Sequence, residues 1–162
     1  MNFKLFAFEV MFINNYNDEL NYFLVKVFNE ILRIEESSLK IGEFKNLSIR
    51  EMHVIEAVCI ANDNGTDNRA TDISHALRIS AGTLTTTVAL LEKKGYLKRV
   101  QDTQDKRIIR LYATEKGTKA NQFHQNFHKQ MVANVIDTLD HSEVEILIKG
   151  LSSLKVFFDS KK

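Results

Sequence analysis

A threonine-rich helix followed at once by a basic hairpin is the feature that most constrains the fold of this 162-residue chain. The segment runs from Ile79 to Gly117, with small and hydroxyl-bearing side chains at the predicted start of the helix and Asp-Lys-Arg at residues 105–107. A helix fits the major groove of DNA, whereas a hairpin tip can reach the neighbouring minor groove. This order of elements suits a chain that contacts both grooves of a duplex.

Positive charge is concentrated in the hairpin and its flanks. Residues 93–119 carry nine Lys or Arg against three Asp or Glu, and residues 1–68 carry six against eleven, within a chain of net charge +1. A basic segment beside a groove-reading helix indicates contact with phosphates. From the charge alone, an ordinary solvated surface is an equal alternative.

The composition predicts long helices in one domain that has helical extensions. The chain has no proline and six glycines, so few residues would interrupt a helix. A single cysteine argues against a disulfide framework and suits the reducing cytoplasm. Residues 1–10 are apolar but too short to span a bilayer, so we expect no membrane contact there. They are either a misassigned start ahead of Met11 or an arm that packs at an interface.

Periodicity and capping signals divide the chain into elements. Capping boxes at Ser48–Glu51 and Asp140–Glu143 open two helices, and Gly95 closes another. The predicted helices cover about residues 18–41, 48–61, 70–77, 80–94, 114–138 and 140–158, with strands at 97–100 and 108–112. The fold class is therefore mainly α with a small β-hairpin wing, a winged helix-turn-helix flanked by dimerisation helices. The expected regions are an N-terminal extension at 1–16, dimerisation helices at 17–47 and 114–162, and a DNA-binding region at 48–113.

The helix after Ser80 has one apolar face and one small, polar face. Leu84, Val88 and Leu91 share the inward side, and a step of about 100° per residue puts Gly82, Thr86 and Ala89 opposite. Asp105 is expected to hold Arg107 toward the minor groove, although the two could form only an exposed ion pair. The residues expected to contact DNA are Ser80, Gly82, Thr83, Thr85, Thr86, Lys106, Arg107 and Arg110.

At these residues the chain resembles the MarR family of bacterial transcription regulators. The matching motifs are Leu91-Glu92-x-Lys94-Gly95-Tyr96-Leu97-x-Arg99, Asp105-x-Arg107 and Leu111-x-x-Thr114-x-x-Gly117. The resemblance implies a homodimer that binds a pseudo-palindrome in double-stranded DNA. Ala113 departs from the family pattern, which usually has Leu before the threonine. No phosphate-binding loop or nucleophile motif is found, so we expect no enzyme activity.

A second set of motifs is similar to the FabT branch, the repressors of fatty-acid-biosynthesis genes. It comprises Phe28-Asn29-x-x-Leu32-x-Ile34-Glu35-Glu36, Ser48-Ile49-x-Glu51-Met52-His53, Gly82-Thr83-x-Thr85-Thr86 and His124-x-x-Phe127-His128-Lys129. The resemblance implies long-chain acyl groups on acyl carrier protein as corepressor, which would need an apolar cavity. The candidate lining is Phe28, Ile31, Leu32, Met52, His53, Ile55, Phe123, Phe127 and Met131. For each of these residues taken singly, an ordinary place in the core or the dimer seam is the stronger interpretation.

The alternative effector is zinc. His124 and His128 are four residues apart on one predicted helix, which is a workable ligand pair, and His53 on another helix could be a third ligand. Zinc-responsive members of the same family have histidines at similar positions, but they add acidic ligands where this chain has Met52. We therefore expect no metal or other cofactor, with a zinc-responsive or other small-ligand regulator as the alternative.

Overall fold

The computed structural model describes residues 3–65 and 67–161, with side chains from Tyr16 onward. It confirms the expected fold class, mainly helical with one antiparallel hairpin. Within the described residues the elements are α1 (Phe3–Lys40), α2 (Ile49–Asp63), α3 (Ala70–Leu77), α4 (Ala81–Lys93), β1 (Leu97–Gln101), β2 (Ile109–Ala113), α5 (Glu115–Ile136) and α6 (His141–Asp159).

The first helix is longer than the periodicity indicated. It was expected to begin at Asp18, but α1 begins at Phe3, so residues 3–16 are part of this helix and not a separate extension. Residues 3–40 contain neither glycine nor proline, and nothing in them breaks the hydrogen-bond ladder. Met1 and Asn2, the first residues of the expected extension, lie outside the described residues.

The capping signals are confirmed at the ends of the helices. The Ser48 hydroxyl accepts from the Glu51 N–H, and the Glu51 carboxylate accepts from the Ser48 N–H at 2.9 Å. Asp140 and Glu143 form the same capping box before α6. Gly95 has φ +80° directly after α4, a conformation that glycine adopts without strain. The short signals thus fix where the helices start and stop.

The core is built around α2, which packs against α1, α3, α4, α5 and β2. Met52, Ile55 and Val58 are fully buried on it, and Cys59 is 4 % exposed. These side chains meet a second set from the following elements, consisting of Ile73, Leu84, Val88, Leu91, Tyr96, Leu97 and Leu111. Helix α2 is therefore the common support of both α4 and the hairpin.

The hairpin is fastened along β2 to the segment before α3. Its register runs from Leu97 opposite Ala113 to Gln101 opposite Ile109. An isolated bridge pairs Arg69 with Arg110, and the Leu111 N–H donates to the Asn68 carbonyl at 2.9 Å. The two strands of the hairpin and residues 68–69 consequently form an arrangement of three paired segments, with β2 in the middle.

Helix α6 has little support within one chain. None of its described residues is buried, and large apolar side chains along it remain exposed, among them Ile146, Leu147, Ile148, Leu151, Val156, Phe157 and Phe158. Helix α1 exposes a comparable set, including Leu20, Phe23, Val25, Phe28 and Leu32. Such continuous apolar surface is characteristic of an interface.

Across the described residues, no helix is both long enough and apolar enough to cross a membrane.

Candidate nucleic-acid interface

Helix α4 presents the small, polar face that its periodicity predicts. Leu84, Val88 and Leu91 are 2 % exposed or less and fix the helix against α2, whereas Gly82, Thr85 and Thr86 are exposed. Ser80 caps the helix by accepting from the Thr83 N–H at 3.1 Å. The residues expected to face DNA thus form one open surface at the start of α4.

The exposed threonine hydroxyls of α4 donate to their own helix. Thr85 Oγ1 donates to the Ala81 carbonyl at 2.8 Å, and Thr86 Oγ1 donates to the Gly82 carbonyl at 3.1 Å. Each side chain therefore offers a methyl group and oxygen lone pairs to a ligand. In the major groove, a methyl suits the thymine methyl and an oxygen acceptor suits the amino groups of adenine or cytosine.

A groove of about 640 Å³ runs between the start of α2 and the exposed face of α4. Ser48 and Arg50 line one side, and Gly82, Thr83 and Thr86 line the other. Arg50 is exposed at its rim and was missed by sequence reasoning, because it lies outside the basic segment. The signal that could have found it is its position two residues after a helix N-cap.

The hairpin tip carries a highly exposed guanidinium. The side chain of Arg107 is 90 % exposed, and its Nε and Nη2 donate to Asp105 at 3.0 and 2.8 Å. These bonds, with one from the Arg107 N–H, lower the pKa of Asp105. The pairing expected between the two residues is therefore present, and Lys106 is exposed beside it.

Arg110 occupies a different environment from the one expected for a DNA contact. Its side chain is 31 % exposed, and its Nε donates to Asp102 Oδ2 at 2.6 Å. Its Nη1 donates to Asp67 Oδ1 at 3.1 Å and to Asn68 Oδ1 at 3.0 Å. The guanidinium faces the protein, so its DNA contact remains a prediction that this placement does not favour.

The candidate effector residues do not share one cavity in the described part of a single chain. Phe28 and Leu32 are 47 % and 52 % exposed on α1, whereas Met52 is fully buried in the core. Leu32 and His53 do share a cleft of about 250 Å³ with residues of α2 and the end of α3. The remaining members are exposed or half-buried on α1 and α5, namely Ile31, Phe123, Phe127 and Met131. Burial favours an ordinary core role for Met52 and Ile55, whereas the other candidates have exposed surface that a ligand or a second chain can contact.

The three histidines considered as zinc ligands do meet, around a buried carboxylate. His128 Nε2 lies 3.0 Å from Glu35 Oε1 and 3.2 Å from His124 Nε2. His53 Nε2 lies 3.8 Å from Glu35 Oε2, and its ring centroid is 5.5 Å from that of His124. Burial, followed by His128 and His53, lowers the pKa of His124 to about 4, so this imidazole is neutral at pH 7.

Glu35 is the member of this cluster that sequence reasoning missed. Its side chain is 4 % exposed, although it lies on a helix whose neighbouring residues are mostly exposed. The donor atoms of Glu35, His124 and His128 lie within 4.8 Å of one another, so these residues could hold a metal ion. A charged residue on the apolar side of α1 was the signal that could have revealed it.

Comparison with known proteins identifies the family of proteins that shares this geometry. A helix-turn-helix with an exposed α4 face and a basic wing defines a winged-helix DNA-binding regulator. The model of the MarR family matches residues 47–109. FabT of Streptococcus pneumoniae, solved in complex with DNA, is 37 % identical, with 90 % of this chain and 99 % of that chain covered and a TM-score of 0.84. The chain belongs to the MarR family.

Two further relatives extend the comparison. The MepR–DNA complex of Staphylococcus aureus is 19 % identical over 86 % of this chain and 97 % of that one, with a TM-score of 0.69, and it supports the fold. An uncharacterised HTH-type transcriptional regulator of Bacillus subtilis, YpoP, is 27 % identical over 84 % of this chain and 91 % of its own length. As a member of the MarR family, the protein is a DNA-binding transcription regulator and not an enzyme.

Proposed function

We propose that this protein is a homodimeric repressor of fatty-acid-biosynthesis genes, with long-chain acyl-acyl carrier protein as its corepressor. The single observation that carries the proposal is the 37 % identity to FabT over nearly the whole of both chains. The resemblance of the motifs in α1, α2, α4 and α5 to the FabT branch implies the corepressor. The double-stranded DNA target is a pseudo-palindrome, because a two-fold dimer presents two copies of α4.

In the proposed complex, the residues of the DNA-binding region have separate tasks. Gly82, Thr83, Thr85 and Thr86 read base edges in the major groove, and the helix start at Ser80 receives a phosphate. Lys106 and Arg107 bind at the minor groove, with Asp105 holding the Arg107 side chain in place. Helices α1 and α6, together with α5, join the two chains and set the spacing of the two α4 helices near one DNA turn, about 34 Å.

The acyl chain is proposed to lie against the apolar residues that a single chain leaves exposed on α1 and α5. Phe28, Leu32 and Phe123 are between 36 % and 52 % exposed. Phe123 is also in contact with Phe44, at a ring-centroid distance of 5.4 Å. These helices connect the dimer interface to α2, so a ligand between them would favour one spacing of the two reading helices.

The test needs a DNA probe that does not depend on knowing the operator. Repeated selection from a random-sequence duplex pool with the wild-type protein yields a labelled selected duplex. Its affinity is then measured with and without long-chain acyl-acyl carrier protein. We expect the acyl form to raise DNA affinity and, by linkage, the selected duplex to raise acyl affinity by the same factor. A change below about threefold, roughly 0.65 kcal/mol, would refute the corepressor.

Zinc is the second candidate effector, and the buried Glu35 is the observation that favours it. The sequence has Met52 where zinc-responsive members of the family have an acidic ligand. Glu35 on α1 brings a carboxylate to this cluster, 3.0 Å from His128 Nε2. Two imidazoles and a carboxylate are ordinary zinc ligands. Titration of the same selected duplex with zinc distinguishes the two effectors.

If zinc is the effector, a chelator reverses the response and His128→Ala abolishes it. His141→Ala is the matched control, because His141 also lies near a carboxylate, at 3.4 Å from Glu145, but is almost fully exposed on α6. A zinc response of similar size in the His128→Ala variant would exclude this site.

A further inference from the structure

The wing is held by a polar network centred on Arg110, which we call the wing clasp and define as Asp67, Asn68, Asp102 and Arg110. Arg110 lies on β2, and its guanidinium joins two segments that are far apart in sequence. Nε binds Asp102, where the hairpin turn begins, at 2.6 Å. Nη1 binds Asp67 and Asn68, in the connection between α2 and α3, at 3.1 and 3.0 Å.

On the wing side, Asp102 organises the turn that carries the tip. Its Oδ1 accepts from the Gln104 N–H at 2.8 Å and from the Asp105 N–H at 3.2 Å, while its Oδ2 accepts from Arg110. The Arg110 bond and these two N–H groups hold the pKa of Asp102 at about 2. A single carboxylate therefore connects the strand to the turn from which Arg107 projects.

On the other side, the clasp reaches the end of α2. The Asn68 side chain donates to the Leu111 carbonyl at 3.1 Å, and the Leu111 N–H returns a bond to the Asn68 carbonyl. Asn62 Nδ2 also donates to the Leu111 carbonyl at 3.2 Å, and Asn62 Oδ1 accepts from the Ala113 N–H at 3.2 Å. The wing is thus tied to α2 through Asn62, Asn68 and Arg110.

The charges around Arg110 oppose a phosphate contact. Arg69 binds both Asp67 and Asp72 at 2.7 Å, so two guanidinium groups here face three carboxylates, including Asp102. A local excess of negative charge repels a phosphate. Arg107 differs, because it pairs with Asp105 alone and its side chain is 90 % exposed.

We propose that Arg110 is a positioning residue, which sets the angle of the wing relative to α4 and allows Arg107 to reach DNA while α4 lies in the major groove. The inference rests on the DNA-binding activity of this family and is independent of the fatty-acid assignment. A fork of two or more charge-assisted bonds fixes direction as well as distance, which a single bond would not. Loss of the fork leaves the hairpin turn intact but lets it point away from the DNA.

The experiment compares Arg110→Gln, Arg110→Lys and Asp102→Asn with the wild type on the selected duplex, at several salt concentrations. Lysine keeps the charge and loses the fork, so it separates the two roles of Arg110. We expect all three variants to bind about tenfold more weakly, equivalent to about 1.4 kcal/mol, and to lose the same part of the salt slope as Arg107→Ala, because the displaced tip no longer brings Arg107 to the DNA. Arg107→Ala is the comparator that should lower the slope, by about 0.9 for each phosphate that the variant no longer neutralises.

Two further readouts distinguish positioning from a general loss of stability. The double variant Arg110→Gln/Asp102→Asn should lose less affinity than the sum of the two single losses, because both single variants break the pair between Asp102 and Arg110. Hydrogen exchange at the Leu111 amide, which donates to the Asn68 carbonyl at 2.9 Å and so joins the wing to the segment before α3, should accelerate, while the thermal midpoint and the dimer are retained.

Four results would overturn the proposal. Wild-type affinity in Arg110→Lys together with weaker binding in Arg110→Gln would assign Arg110 a direct phosphate contact, as would a salt slope that falls in Arg110→Gln but not in Asp102→Asn. Unchanged binding in both Arg110 variants would show that the wing is positioned without the clasp. Additive losses in the double variant would show that Asp102 and Arg110 act separately.

Discussion

At the scale of single residues, exposure and hydrogen bonding separate two kinds of DNA contact. Arg107 projects a charge that any phosphate or narrow minor groove attracts, regardless of sequence. Thr86 presents a methyl and an acceptor oxygen from α4, which discriminate between bases. The two residues therefore differ in what their loss should do.

We predict that Arg107→Ala weakens binding to the selected duplex and to a scrambled duplex by similar factors. Thr86→Ala should weaken binding mainly to the selected duplex, by about 1–3 kcal/mol for one missing base contact. Titration of both duplexes with each variant measures the difference, with sedimentation as a control that the assembly is unchanged. Full affinity and an unchanged salt dependence in Arg107→Ala would show that the tip does not bind DNA.

Gly117 and Gly82 make a second contrasting pair. A Cβ on Gly117 would lie 2.2 Å from the Tyr96 carbonyl oxygen, whereas a Cβ on Gly82 would meet only Ser80 Oγ at 3.9 Å. Gly117→Ala should lower the free energy of unfolding by about 1–3 kcal/mol or more, because backbone would have to shift. Gly82→Ala should leave stability unchanged or slightly higher and weaken DNA binding. Chemical denaturation and DNA titration of both variants check this, and equal stabilities would contradict the close approach.

At the scale of the elements, local sequence signals were enough to predict most helix boundaries. They were not enough to predict which residues from different elements contact each other. The capping boxes and Gly95 depend on residues within four positions of each other, so the sequence shows them directly. The histidine spacing also predicted that His124 and His128 share a face. Glu35 could not be assigned to them, because its contact depends on which side of α1 meets α5. The ion pairs of Arg110 could not be foreseen for the same reason, since its partners Asp67 and Asp102 become neighbours only when the hairpin folds.

The N-terminal part of α1 gives a prediction at this scale. A chain that begins at Met11 should still dimerise and bind the selected duplex within about threefold of wild type, because the DNA-binding region begins at Ser48. A chain that begins at Asn29 loses the exposed Leu20, Phe23 and Phe28 as well and should dissociate. Sedimentation of both truncated chains distinguishes them. Loss of dimers in the Met11 chain would show that residues 1–10 are structural.

At the scale of the whole molecule, the apolar surface of α1 and α6 exceeds what one chain can cover. None of the described residues of α6 is buried, and the large apolar side chains of Phe157 and Phe158 are more than half exposed on it. Burial of such apolar surface in an interface stabilises the assembly by a free energy of roughly 25 cal/mol per Å². A symmetric dimer is the simplest assembly that covers both helices.

We predict a dimer at micromolar concentration and a thermal midpoint that rises with protein concentration, because association stabilises the folded state by mass action. Leu151→Glu on α6 should shift the sedimentation toward monomer, whereas Glu145→Gln on the same helix, which introduces no charge into an apolar contact, should not. A wild-type monomer at this concentration, or a midpoint that does not depend on concentration, would contradict the assembly.

The position of Cys59 in the core has a consequence for redox chemistry. Burial, with Asp63 and Glu56 nearby, raises the pKa of its thiol to about 11. The thiolate is the form that peroxides attack, and at neutral pH almost none of it exists at such a pKa. Hydrogen peroxide should therefore leave DNA binding unchanged, and a cell that relies on this regulator would keep its control of transcription through oxidative stress.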